Sequence, residues 1–267
     1  MVRRFDPKTR LLHAAAIVCF LGLGGTGAAM CFDDQRWASE AIRVLGGMPA
    51  VGRVHHIFAV TALAVLALHL ALAARSARRR RAGRPLGPDS IVPRLSDLRD
   101  LAAHVRWFVR GGARPVWSRW AYWEKLQYWT VLAIMVVAGV TGTILWFPTQ
   151  ASRVLPGWMI NLAAVLHSEE ALLAAGLVIA AHIAHAFIRR GRAALDQAMF
   201  TGLVAEEDYR RERPAEWARL EARGLAEGLR RPAPSGRKAR LVTGLGIAAA
   251  LAGIGLLGLT LLATLSR

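Results

Sequence analysis

Five long apolar runs alternate with arginine-rich segments along the whole chain, at residues 11–30, 54–74, 126–147, 159–188 and 241–265. At about 1.5 Å of rise per residue, each run is long enough to cross about 30 Å of hydrocarbon as an α-helix. The pattern therefore predicts an all-α integral membrane protein with five spans. The first run carries His13 and continues through Gly22, Gly24, Gly25 and Gly27 without an Ala-x-Ala exit. It reads as a retained span rather than a cleaved signal peptide.

Two segments between the runs carry weaker periodicity. Residues 83–93 read as a linker, after which Leu95, Leu98, Leu101, Ala102, Val105, Phe108 and Val109 recur at helical spacing, with Asp97, Arg99 and Arg106 on other faces. That arrangement predicts a helix lying in the membrane interface. Residues 196–240 read as a solvated or partner-facing tail, with one Arg/Glu-rich helix over 210–229 and a break from Pro232 to Gly236. Trp117, Trp120, Trp123 and Trp129 gather at one end of the third span and Trp146 and Trp158 at the other, as aromatic belts do.

Composition agrees with the class, since 267 residues are 54 % hydrophobic with a mean hydropathy of +0.33. Of the 35 Lys and Arg, 29 precede the first span or lie between Arg75 and Arg119 or between Arg189 and Arg240, against four in the two opposite loops. Short basic loops stay cytoplasmic, which predicts a cytoplasmic N-terminus and a periplasmic C-terminus. The net charge of +17 is thereby explained by topology and by attraction to anionic lipid, not by nucleic acid. Cys19 and Cys31 share one span, and neither a Cys-x-x-Cys-His motif nor a cysteine cluster is present to hold c-type haem or an iron–sulfur centre.

Seven of the eight histidines lie in the runs or at their rims: His13, His55, His56, His69, His167, His182 and His185. Ionisable side chains at that depth mark function, and paired imidazoles point to haem iron. His56 and His167 fall in an outer layer; His13, His69 and His182 fall in an inner one, near the basic residues. The 15-residue step from His167 to His182 corresponds to about 22 Å of rise and about 60° of rotation, which suits two stacked haems. On the second span the assignment stays open. His56 and His69 are about 140° apart, whereas His55 and His69 are only about 40° apart. Either His56 serves the outer haem and His13 the inner one, or His55 and His69 face His167 and His182. His185 shares a face with His167 and is an alternative to His182, while His104 reads as a surface residue. Thr26-Gly27 and Thr141-Gly142 hint at an internal two-helix repeat.

Several of these pieces together resemble the bacterial di-haem cytochrome b family, which includes the gamma subunit of formate dehydrogenase and the cytochrome b subunits of nickel hydrogenases. They are Arg10-Leu-Leu-His13, Val18-Cys19-Phe20, Thr26-Gly27, Gly52-Arg-Val-His-His56, Tyr128-Trp129, Val140-Thr-Gly142, Trp146, Leu166-His167, and His182 ahead of Arg190-Gly191. The resemblance spans residues 3–202. It implies a four-helix domain over 1–202 with two b-type haems, His56 and His167 holding the outer one and His13 and His182 the inner one, with His69 as a further candidate. Residues 203–240 then form a cytoplasmic segment and 241–267 a fifth span outside the four-helix pattern. The resemblance further implies electron exchange with menaquinone or ubiquinone, and partner subunits carrying catalytic, iron–sulfur or cytochrome c centres, in the bacterial inner membrane. Glu124, Lys125 and Gln127 are the quinone-site candidates, although 122–127 lacks the Asn and Gly positions that gamma subunits use there. Glu170 is a candidate acceptor for a ligand-imidazole proton, and Asn161 and Glu169 line a wet rim. The competing class is a proton-coupled or metal-ion transporter using the same histidines.

Overall fold

The computed structural model describes residues 1–79, 87–112, 115–188 and 198–266. The linker residues 83–86, the Arg190-Gly191 pair and the side chain of His185 lie outside the described residues. The chain order is β1 (Val2–Arg3), α1 (Pro7–Cys31), α2 (Arg36–Val44), α3 (Met48–Arg79), α4 (Leu95–Arg110), α5 (Tyr122–Trp146), α6 (Pro148–Ala151) and α7 (Gly157–Val165). A π turn over Leu166–Glu170 joins α7 to α8 (Ala171–Ile188). There follow α9 (Ala198–Thr201), β2 (Leu203–Val204), α10 (Glu206–Glu212), α11 (Pro214–Ala222), a 3-10 turn at Glu227–Leu229 and α12 (Gly236–Leu265). Five of these helices are long and apolar enough to span a membrane: α1, α3, α5, α7 with α8, and α12. The chain is an all-helical integral membrane protein.

Two compact units divide the contacts. One contains Leu11–His69, Val131–Asp196 and Leu241–Arg267. In it α12 packs on α1 and α8, with Leu256 against Gly24 and Leu257 against Gly176. Ala28, Phe32, Ala38 and Ala263 form a buried cluster where α1, α2 and α12 meet. The third helix begins at Met48, six residues before the apolar run, because Gly46 and Gly47 make a left-handed turn and Pro49 fits a first helical turn.

The other unit contains Met1–Arg10, Leu70–Thr130 and Gln197–Arg240. Here the structure corrects two expectations. The predicted helix over 210–229 is broken into α10, α11 and a 3-10 turn, since Pro214 cannot continue α10 and Gly224 adopts a positive φ of 66°. The segment is also not a solvated tail: Val2, Ala198, Val204, Tyr209, Trp217 and Ala226 form a closed core, with Phe5, Leu220 and Leu229 around it. Antiparallel pairing of Val2 with Val204 brings the first residues into that core. At Gly202 the φ is +79°, and a Cβ would stand 2.8 Å from the Phe5 carbonyl, so the close approach requires glycine.

Burial first, and the neighbouring Glu216 carboxylate second, hold the Tyr209 hydroxyl above the usual phenol range. Because the folded value is raised, this group's stabilisation is complete below the ordinary phenol value of about 10 and is lost as the pH climbs through the folded value. Alkaline difference absorbance should therefore show a tyrosinate step from Tyr209 that starts above about pH 10 and coincides with unfolding of this unit. The Tyr209→Phe variant should lack that step; a Tyr209 signal at an ordinary phenol midpoint in folded protein would contradict the burial argument.

Candidate functional site

In the first unit, a threonine followed by glycine occurs once on α1, as Thr26-Gly27, and once on α5, as Thr141-Gly142. The Thr26 hydroxyl donates to the Gly22 carbonyl at 2.7 Å, and its oxygen stands 2.8 Å from His55 Nδ1 on α3. The Thr141 hydroxyl donates to the Val137 carbonyl at 2.8 Å, and its oxygen stands 3.2 Å from His167 Nδ1 in the π turn. His167 Nδ1 also lies 3.1 Å from the Ala138 carbonyl. A Cβ on Gly142 would meet the His167 ring at 2.7 Å, so only glycine admits the imidazole there. The repeat suggested by these two Thr-Gly pairs is thus a physical one, in which each orients a histidine of the next spanning segment, His55 on α3 and His167 in the π turn.

The two oriented rings face each other, His55 and His167 having centroids 6.1 Å apart and planes 83° apart. A second facing pair, His13 on α1 and His182 on α8, has centroids 6.0 Å apart. The π turn contains His167, runs on toward His182 through Glu170, and takes in one more residue than an α turn. The fifteen-residue step therefore turns like one of about fourteen, changing the offset from about 60° to about −40°.

His56 is placed elsewhere. Its ring stacks on Trp146 at 3.9 Å with an interplanar angle of 11°, and the ring brought to His167 is that of His55. His69 is half-buried on α3, and the ring facing His182 is that of His13. Asn161, Glu169 and Glu170 are exposed, and the contacts expected of Glu170 at His167 Nδ1 are made by Thr141 and the Ala138 carbonyl.

Facing imidazoles test the fit of haem iron directly. Two imidazoles that bind one metal ion from opposite sides through bonds of about 2 Å place their centroids about 6 Å apart. Both pairs stand at that separation, and their donor chemistry is that of b-type haem. Among the described residues, no group of three or more His, Cys, Asp and Glu could hold a metal ion.

In the second unit the quinone-site candidates Glu124 and Lys125 make ion pairs at the start of α5. Both Glu124 oxygens are engaged: Oε1 accepts from Arg213 at 2.6 Å and Arg4 at 3.3 Å, and Oε2 accepts the Ala121 backbone N–H at 2.8 Å. Lys125 is buried and donates to both oxygens of Asp97, at 2.8 and 3.0 Å. Gln127 is half-buried one turn further on. His104, expected at the surface, lies among Trp107, Trp117 and Trp123 with its Nδ1 3.1 Å from the Tyr122 hydroxyl. Trp117 and Trp123 thus serve an internal aromatic cluster rather than a belt. Nothing local in sequence marks it, because its members come from two segments.

Residues 4–202 match the family model described as prokaryotic cytochrome b561. The chain is 28 % identical over 191 residues to the cytochrome b556 subunit of formate dehydrogenase from Haemophilus influenzae, covering 70 % of this chain and 71 % of that protein. It is 21 % identical over 181 residues to the cytochrome b556 subunit of the nitrate-inducible formate dehydrogenase of Escherichia coli, covering 67 % and 72 %.

Replacing Glu124 by Gln removes the charge that balances Arg213, whose side chain is only 2 % exposed. Breaking such a buried pair costs about 3–5 kcal/mol. The Glu124→Gln variant should show a lowered thermal midpoint in detergent and faster proteolysis within residues 198–240. Unchanged stability with a selective rise in quinone KM would return Glu124 to the quinone site.

Proposed function

Because the chain belongs to the prokaryotic cytochrome b561 family, we propose that it is the di-haem membrane subunit of a respiratory oxidoreductase, carrying electrons between a partner redox subunit and the quinone pool. The observation that carries this reading is the presence of two imidazole pairs with ring centroids 6.0 and 6.1 Å apart, a spacing at which the two rings of each pair could hold one iron. His55 with His167 would hold the outer haem and His13 with His182 the inner one. When bound, each haem supplies a one-electron Fe(III)/Fe(II) couple whose potential depends on its ligands and their hydrogen bonds. The His56–Trp146 stack then lines the outer end of the bundle instead of ligating iron.

The relatives named as formate dehydrogenase subunits support an assembly with catalytic subunits, to which an iron–sulfur or cytochrome c subunit would be joined, the first chemistry belonging to those partners. Basic-loop asymmetry supports an N-terminus in the cytoplasm, a C-terminus in the periplasm and a quinone, menaquinone or ubiquinone, reacting near the inner haem. Residues 1–202 would carry the haems, with the cytoplasmic segment 203–240 and the fifth span 241–267 following. At the inner surface Gln127 remains the polar candidate for a quinone carbonyl, with Glu124 and Lys125 bracing the helix end that presents it.

Anionic lipid is the other partner. Asp97 and His104 tie α4 to Lys125 and Tyr122 at the start of a spanning helix, while Leu95, Leu98, Leu101, Val105, Phe108 and Val109 are left exposed. Arg106 and Arg110 border that apolar face. The combination suits a helix lying among phospholipid headgroups. A spin label at Phe108→Cys, in a Cys19→Ser/Cys31→Ser background, should relax with lipid-soluble oxygen rather than with an aqueous nickel chelate; the reverse would place α4 in water.

Haem counting on purified protein tests the main reading, with about two b-type haems per chain expected. His55→Ala and His167→Ala should each remove the same haem, His13→Ala and His182→Ala the other, and His56→Ala neither. Loss of a haem in His56→Ala with retention in His55→Ala would overturn the outer assignment.

A further inference from the structure

Thr26 and Thr141 do something the histidines cannot do for themselves, and the inference rests on the haem-ligand reading above. A threonine hydroxyl carries one proton and two lone pairs. On α1 that proton is directed to the Gly22 carbonyl at 2.7 Å, the Leu23 carbonyl standing further away at 3.3 Å. On α5 it is directed to the Val137 carbonyl at 2.8 Å. With the proton so committed, each threonine oxygen can only accept from the imidazole nitrogen beside it, so His55 Nδ1 and His167 Nδ1 must be the protonated nitrogens. A separate observation agrees: His167 Nδ1 also lies 3.1 Å from the Ala138 carbonyl, and a carbonyl has no proton to give.

We propose that Thr26 and Thr141 are positioning residues that lock His55 and His167 as Nδ1–H tautomers, leave each Nε2 lone pair free for iron, and set the potential of the outer haem. The two sides are not equal. His167 Nδ1 has two acceptors in reach, Thr141 Oγ1 and the Ala138 carbonyl, whereas His55 Nδ1 meets Thr26 Oγ1 at the shorter distance of 2.8 Å. An acceptor on Nδ1–H makes an imidazole a stronger electron donor, which favours ferric over ferrous iron. Removing the acceptor therefore raises the midpoint potential, and its loss matters more at His55, where among the described residues Thr26 is the acceptor in reach.

The test is an optical redox titration of the full-length haem-loaded chain in lipid nanodiscs. Thr26→Val should keep both haems and raise the midpoint of the haem that disappears in His55→Ala, changing its ferric-to-ferrous ratio at fixed potential by up to roughly tenfold. Thr26→Ser should restore the original midpoint, and Thr141→Val should move it less. Two haems with an unmoved midpoint in Thr26→Val, or failure of Ser to restore a shift, overturns the inference and leaves the ligand assignment intact. A wild-type chain that binds no haem overturns both. If Thr26→Val does not assemble, nitrogen NMR of histidine-labelled, reduced wild-type protein decides: Nδ1 protonated on His55 and His167 upholds the inference, and a bare Nδ1 on either refutes it.

Discussion

The spanning bundle holds four imidazoles in two pairs, within segments apolar enough to lie in hydrocarbon. A histidine in hydrocarbon without a fixed partner is costly, and it also has two interchangeable nitrogens. The bundle meets both problems by borrowing hydroxyls that helices already place against their own carbonyls. The threonine satisfies its proton within its helix and offers its oxygen across the groove. Glycine immediately after it leaves room for the ring, most tightly at Gly142. Local helix chemistry is thereby converted into a defined tautomer and a defined ring position.

The unit containing Met1–Arg10, Leu70–Thr130 and Gln197–Arg240 depends on a different economy of charge. Arginines that appear in sequence as markers of topology are also structural here. Arg4 and Arg213 converge on Glu124, and Arg119 pairs with Glu216 at 2.8 Å. These pairs join the N-terminal segment, the start of α5 and the short helices of the 198–240 segment. Buried ion pairs add little net stability over an apolar core, yet leaving one partner alone is costly, so the set works as a demand for one arrangement.

Hydropathy alone made the five spans legible, since hydrocarbon thickness constrains helix length with little regard for other contacts. The periodicity of residues 95–109 likewise matched α4 within one residue at its end. The choice between His55 and His56 was not legible from phase along one helix, because it depends on where Thr26 of another helix places an acceptor. A usable signal was present in two of the four Thr-Gly pairs, Thr26-Gly27 and Thr141-Gly142, 29 and 26 residues before their histidines, but its meaning required the partner helix to be seen. The core around Tyr209 and Trp217 was illegible for a similar reason: two of the residues that bury it, Val2 and Phe5, come from the other end of the sequence. Charge-rich composition then looked like a solvated surface.

That long-range closure bears on the order in which the chain is built. Val2 finds its strand partner Val204 about two hundred residues later. During synthesis the leading segment must therefore wait, unpaired, while four spanning helices are made and inserted. Pairing with β2 completes the unit only once the ribosome has passed that point, so the strand at Val2 closes its own unit late, after four spans have been made.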